Sequence, residues 1–282
     1  MAQQLSVNAL PIGSRWKLPK VRVLIVDDGE ENRELVRLLL EEAGALTEQA
    51  ENGQVAVDKV LARSYDLIIM DLQMPVMDGE TATQLLRSRG VKTPIVALTA
   101  HAMKGFEQSI LAAGFTAYLT KPIDLDKLMA TIAGLTGGEQ LGSALKKTSH
   151  LPILTYKAGS VPRAPVRSRL AGNPRLRPAV EKFIDRLSGQ LDEMERAWQT
   201  QDFKTLADLA HWLKGAGGSV GFDAFTEPAM SLEQLAKAGT EEGINEVIGE
   251  LRDLTARIVR PLAEVGGDVP PPTVSVSPES WP

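Results

Sequence analysis

The sequence predicts a doubly wound, parallel (βα)5 sheet domain followed by an all-α four-helix bundle. Three observations carry that prediction: short β-branched runs alternating with amphipathic stretches from Val21, a loss of periodicity after Leu135, and four helical stripes beyond it. With 282 residues, 43% of them hydrophobic, the chain is long enough for two separate cores.

In the first domain the strand runs are "VRVLIV", "ALTEQA", "DLIIM", "PIVALT" and "AYLT". The helical stretches are "ENRELVRLLLEEAG", "GQVAVDKVLARS", "TATQLLRSRG", "MKGFEQSILAAG" and "LDKLMATIAG". Strands this apolar, separated by helices, belong to a sheet covered on both faces, and such sheets place their sites outside the carboxyl ends of the strands. Residues 136–150 gather Gly, Ser and Lys and read as a linker. The bundle occupies 151–265. Its first stripe is Val180, Phe183, Ile184, Leu187, Leu191, Met194 and Trp198, and its second is Leu206, Leu209, Leu213 and Val220. The third is Leu232, Leu235 and Ala236, and the fourth runs through Ile244, Val247, Ile248, Leu251, Ile258 and Leu262. Residues 1–20 are expected to be a flexible N-terminal segment, and the Pro-rich residues 266–282 a disordered tail. No internal repeat is present.

Composition removes several classes of function. The net charge of -5, without a Lys/Arg cluster, argues against a nucleic-acid surface. Absence of cysteine removes disulfides, thiolate zinc sites and thiol nucleophiles. No apolar run reaches the roughly 18 residues of a membrane span, and the first twenty residues lack the apolar centre of a signal peptide, so a cytoplasmic location without membrane contact is expected.

The first strand ends in Asp27 and Asp28, and the third in Asp71 of "IIMDLQMPVMDGE". In the flavodoxin-like strand order these two strands are neighbours, so three carboxylates converge at one sheet edge. Mg²⁺ would relieve their repulsion, since it prefers oxygen ligands and accepts a phosphate oxygen beside one or two carboxylates. Asp71 would then be a phosphoryl acceptor. The fourth strand brings Thr99 and the fifth Lys121 to the same edge, a hydroxyl and an ammonium where phosphoryl oxygens would sit. Blander readings exist for single residues. Asp28 can equally be an N-cap of the following helix, Asp78 is a turn residue, and Lys121 can be a solvated loop charge. It is the joint placement of every required type at its own strand end that favours chemistry.

These motifs, "VDD", "MDLQMPVMDG", "LTA" and "KP" in order, resemble the receiver (response-regulator) family over about Val21 to Gly134. The resemblance implies that a phosphohistidine phosphorylates Asp71. It also implies that Asp27, Asp28, Asp71 and the Gln73 backbone carbonyl organise Mg²⁺, with Thr99 and Lys121 on the phosphoryl group. Thr99 and Tyr118 match the family's switch pair, in which a hydroxyl drawn toward the phosphate lets the ring turn inward.

The second domain contains "LADLAHWLKGAGGSVGF". Helical spacing sets His211 about 200° round from Leu209, on the outer face. A neutral imidazole there can attack an aspartyl phosphate, Lys214 offers positive charge, and Gly215 and Gly218 give clearance for a docking partner. The pattern of His, two residues, Lys, then Gly resembles the histidine-containing phosphotransfer family over roughly 151–262. His101 and His150 lack such company and are expected to be inert. Trp212 is packing or the rim of a docking surface, and Phe222 and Phe225 belong to the core.

Together the two domains resemble the C-terminal part of a hybrid sensor histidine kinase. The expected route runs from an upstream kinase phosphohistidine to Asp71, to His211, and on to a downstream response regulator. No P-loop or kinase ATP-binding glycine box is present, so the phosphoryl group arrives from elsewhere. The rival from another class is a non-phosphorylated docking module. An aspartyl-nucleophile phosphatase of the haloacid dehalogenase type needs Asp-x-Asp on the first strand, and here the nucleophile candidate is on the third.

Overall fold

The computed structural model describes residues 15–99, 106–141 and 164–261. In chain order the first domain comprises β1 (Trp16–Lys17), β2 (Arg22–Val26), α1 (Glu30–Glu42), β3 (Leu46–Ala50), α2 (Gly53–Ala62) and β4 (Leu67–Asp71). It continues with α3 (Gly79–Ser88), β5 (Ile95–Thr99), α4 (Phe106–Ala112), β6 (Ala117–Thr120), α5 (Leu125–Thr136) and β7 (Glu139–Gln140). The five-stranded sheet has the order β3-β2-β4-β5-β6, every neighbouring pair parallel. This is the doubly wound, flavodoxin-like order expected.

Side-chain alternation sorts the strands between two cores. Val23, Ile25, Leu67, Ile69, Val96 and Leu98 enter the core on the α1 and α5 side. Leu24, Val26, Ile68, Met70, Ile95 and Ala97 enter the other. The register pairs Val26 with Met70, Asp71 with Leu98 and Thr99 with Thr120, so residues just past these positions share one edge. Local chemistry begins the helices. The Asn52 side chain accepts from Val55 N at 3.0 Å, and Asp124 accepts from the amides of Asp126 and Lys127 at 3.1 Å. Asn52→Ala is expected to lower stability by about 1 kcal/mol in urea unfolding while leaving phosphate incorporation unchanged, because Asn52 belongs neither to the acidic cluster at the sheet edge nor to the lining of the space before His211.

Two stretches differ from expectation. Residues 16–17 and 139–140, read as flexible segment and linker, form an antiparallel pair, with Arg15 bound to Asp126 at 2.9 Å. The reason is burial: Trp16 and Leu18 reach the α5 end of the core. Gly138 permits the approach, since a Cβ there would lie 2.6 Å from Leu18 Cδ2. His101, His150, Leu262 and residues 266–282 lie outside the described residues.

The second domain comprises α6 (Arg177–Gln199), α7 (Phe203–Ser219), α8 (Thr226–Ala238) and α9 (Ile244–Ala256), with a 3-10 turn at Asp223–Phe225 between α7 and α8. Phe183 is at its centre, stacked on Trp212 and Phe222 at 5.7 and 5.5 Å and edge-on to Phe225 at 6.4 Å. The fourth stripe is shorter than its periodicity predicted. Helix α9 stops at Ala256, and Ile258 instead forms a bridge with Val166. Among the described residues, no helix is long and apolar enough to cross a membrane.

Candidate functional site

At the carboxyl edge of the sheet, Asp27 and Asp71 are almost fully buried and Asp28 is exposed. Each of the three offers an oxygen, and these oxygens lie within 4.8 Å of one another. The Lys121 ammonium sits between two of them, 2.8 Å from Asp27 Oδ2 and 2.6 Å from Asp71 Oδ2. Asp27 Oδ1 is held by Gly29 N at 2.8 Å and Asn32 Nδ2 at 3.1 Å. Arg33 donates to the carbonyls of Asp27 and Asp28 at 2.6 and 3.0 Å, which fixes the loop from β2 to α1. Gln73 N donates to Asp71 Oδ1 at 3.2 Å.

Asp28 does not cap α1: the N-cap is Gly29, without a side-chain bond. Asp78 does cap α3, accepting from Thr81 N at 2.7 Å. Lys121 is no solvated loop charge, since its side chain is 6% exposed.

Charge in this pocket is unbalanced. Three carboxylates face one ammonium, and burial adds to their cost. Desolvation first, then the charges of Asp27 and Asp28, push the Asp71 carboxyl up to about 7 although Lys121 opposes this. Desolvation and Asp27 also raise Asp28. Burial alone would push Lys121 down, but Asp27 and Asp71 outweigh it and hold the ammonium above its usual range. The oxygen-only donor set, with surplus negative charge, fits a hard divalent cation.

Across from this edge stands α7. His211 Nδ1 is 3.0 Å from Glu233 Oε1, and Glu233 also takes Lys214 Nζ at 2.5 Å and Lys237 Nζ at 2.6 Å. A carboxylate only accepts, so Nδ1 carries the hydrogen and the lone pair of the neutral ring is on Nε2. Burial opposes ionisation of Glu233, but hydrogen bonds from His211, Lys214 and Lys237 hold its carboxyl far below the ordinary range. A gap of about 40 Å³ lined by Asp28, Asn32, Lys121, His211, Lys214 and Gly215 separates the two sites. Beside it a cleft of about 900 Å³, which Gln73, Thr99 and His211 help to line, opens to solvent. Thr99 is buried at the end of β5, and Tyr118 is half-buried against the opposite core.

The glycines of α7 divide by face. A Cβ on Gly218 would lie 2.5 Å from Pro122 Cβ, and one on Gly215 would be 3.9 Å from Lys121 Cδ, so both look toward the first domain. One on Gly217 would meet Phe225 and Phe183 inside the bundle at ordinary contact distance. Reading the sequence missed Glu233, Asn32 and Arg33. Asn32 and Arg33 lie four and five residues after Asp28, a proximity that was available as a signal. Glu233 is 22 residues from His211, and only the packing of α8 on α7 unites them.

Comparison with known proteins gives matches for both halves. Residues 23–133 match the family model described as the response regulator receiver domain, and residues 178–260 that of the Hpt domain. The chain is 29% identical over 262 residues to the signal transduction histidine-protein kinase BarA of Escherichia coli K12, covering 92% of this chain and 28% of that protein. It is 43% identical over 117 residues to the two-component response regulator ORR41 of Oryza sativa subsp. japonica, covering 40% of this chain and 92% of that one. The solved receiver domain of Francisella response regulator 1452 is similar at 30% identity with a TM-score of 0.41, covering 42% of this chain and 98% of that one. The chain thus spans 28% of the length of BarA.

Proposed function

Since the chain belongs to the two-component signalling family, as a receiver domain followed by an Hpt domain with a role in phosphorelay, we propose that Asp71 and His211 are its successive phosphoacceptors. An Asp71 oxygen attacks the phosphorus of a kinase phosphohistidine; a P–O bond forms as the P–N bond breaks, leaving an acyl phosphate. His211 Nε2 then attacks that phosphorus, the P–O bond to Asp71 breaks, and the carboxylate leaves. Downstream, an aspartate of a separate response regulator repeats the first step on His211.

The residues act by positioning and charge. Lys121, already bonded to Asp71, stays with the phosphoryl oxygens, and the Thr99 hydroxyl adds a donor. Asp27, Asp28, Asp71 and the Gln73 carbonyl would hold Mg²⁺, whose charge offsets that of the phosphoryl oxygens when it is bound. Glu233 keeps the hydrogen on Nδ1 and stabilises the ring as positive charge develops there. Because Lys214 is paired to Glu233, its charge acts beside the imidazole as part of that network. Thr99 and Tyr118 form the switch that reports phosphorylation to the β6 face. Partners are an upstream histidine kinase, in the same polypeptide or another, and a receiver, and the setting is cytoplasmic.

The observation that supports this reading is the opposition of the Asp27, Asp28, Asp71 and Lys121 cluster to His211 across a narrow gap. Acetyl phosphate with Mg²⁺ tests it. Wild-type chain should acquire base-stable, acid-labile phosphate at His211, whereas His211→Gln should trap base-labile phosphate at Asp71. Unchanged labelling in both His211→Gln and Asp71→Asn would place the phosphate elsewhere and sink the relay, and absence of label from the wild-type chain would leave only a docking role.

A further inference from the structure

We propose that the chain's own receiver is the resident occupant of the His211 face, latched there by Glu31, so that a second receiver reaches His211 only after the latch opens. The inference rests on the phosphoacceptor roles proposed above and adds what controls access to one of them.

Glu31 lies in the first turn of α1, one turn beyond Asp28, yet its side chain is 0% exposed. Its strongest partners are on the other domain. Arg186 Nη1 reaches its two oxygens at 3.0 and 3.2 Å, and Trp212 Nε1 donates at 3.2 Å. The Arg186 guanidinium also lies over the Trp212 ring at 5.2 Å, so one carboxylate ties together a stacked pair next to His211. Around it, Lys182 binds Glu30 at 2.5 Å and Ser219 Oγ accepts from Ile123 N at 3.2 Å. Gly218 gives way to Pro122. The apolar core on the α1 side of the sheet continues into the bundle. These contacts cover the same face of α7 that carries His211, Gly215 and Gly218.

The consequence is exclusion. Nε2 is the reactive nitrogen, and a recipient aspartate must approach it over the surface that the resident receiver covers. The chemistry of that surface also defines its visitor. Lys182 and Arg186 select a receiver with acidic residues at the start of its first helix, a surface that mimics Glu30 and Glu31.

Two full-length chains, each lacking one phosphoacceptor, test this. The His211→Gln chain is loaded at Asp71 with labelled acetyl phosphate, freed of reagent, and mixed with an Asp71→Asn chain whose His211 is the acceptor. Transfer should be slow. Adding Glu31→Arg to the acceptor chain alone should raise its rate ~10-fold if the closed form holds about nine in ten molecules. The introduced guanidinium repels Arg186 in cis, while the donor keeps Glu31 for the vacated Arg186. A fluorophore pair spanning the two domains of the acceptor should report separation. Glu31→Ala is the second variant, and should open the pair less. An unchanged or slower rate despite measured separation overturns the proposal, as does failure of both substitutions to separate the domains. Absence of label on Asp71 in the donor would instead sink the phosphoacceptor reading together with this one.

Discussion

Asp71→Asn is expected to eliminate phosphate incorporation at both Asp71 and His211, and, without added divalent cation, to make the chain more stable than wild type at pH 8. The first effect follows from the loss of the nucleophilic oxygen, since a carboxamide does not form the acyl phosphate. The second follows from the crowding of charge. With all groups ionised, Asp27, Asp28 and Asp71 against Lys121 leave a surplus of two negative charges in a largely buried pocket, and asparagine removes one. Lys121 keeps Asp27 as its partner at 2.8 Å.

The pH dependence has a definite sign. The Asp71 carboxyl is raised from its ordinary 3.8 to about 7 in the folded chain, so the native state keeps a proton that the unfolded state releases. Stability contributed by this group is therefore complete below about pH 4 and declines as pH rises through 7. The advantage of Asp71→Asn should accordingly grow from pH 4 to 7 and level off above, reaching on the order of 1–3 kcal/mol. Urea titrations of both proteins across that range measure it. An advantage that shrinks with rising pH would contradict the charge account. Saturating Mg²⁺ should stabilise the wild type more than the variant if, as proposed, the folded cluster holds the ion and Asp71 is one of its ligands.

Glu233→Ala is expected to slow transfer from phospho-Asp71 to His211 roughly 10²-fold while leaving phosphorylation of Asp71 unchanged. Its carboxylate accepts from the imidazole and pairs with two ammonium groups, and its side chain is 4% exposed. Without it the ring loses the partner that keeps hydrogen on Nδ1, and Lys214, with a side chain only 15% exposed, loses its counter-charge. Nitrogen-15 spectra of the ring should therefore change from a single Nδ1–H tautomer to a mixture. Glu233→Gln separates positioning from charge, since its carbonyl oxygen still accepts from Nδ1 and should retain the tautomer with a smaller loss in rate. An unaltered tautomer in the Ala variant would show that Glu233 holds the helices together rather than the ring.

The sheet and its acidic edge were legible because each depends on short-range pattern. Alternating apolar runs specify strands, and a residue placed just past a parallel strand must appear at the common edge. Asp27, Asp28, Asp71, Thr99 and Lys121 are found there for that reason. Local rules also located the four bundle helices through their stripes. They failed where burial was supplied from a distance: Trp16 and Leu18 gained a core contact near the end of α5, which ordered residues expected to be loose. They left Asp28 open between cap and ligand, and its capping role is unused because α1 begins one residue later, with Gly29 at the N-cap.

By itself the sequence determined where the two proposed phosphoacceptor sites lie, since each is written in residue types at fixed positions on local elements. Only the tertiary structure decided that the sites face one another, that Glu233 contacts the imidazole, and that Glu31 is buried between the domains. Those relations join residues 22 to 181 positions apart, from His211 and Glu233 to Glu31 and Trp212. Periodicity says which face of a helix is apolar, but not which distant charge will be desolvated against it; that depends on how both cores pack.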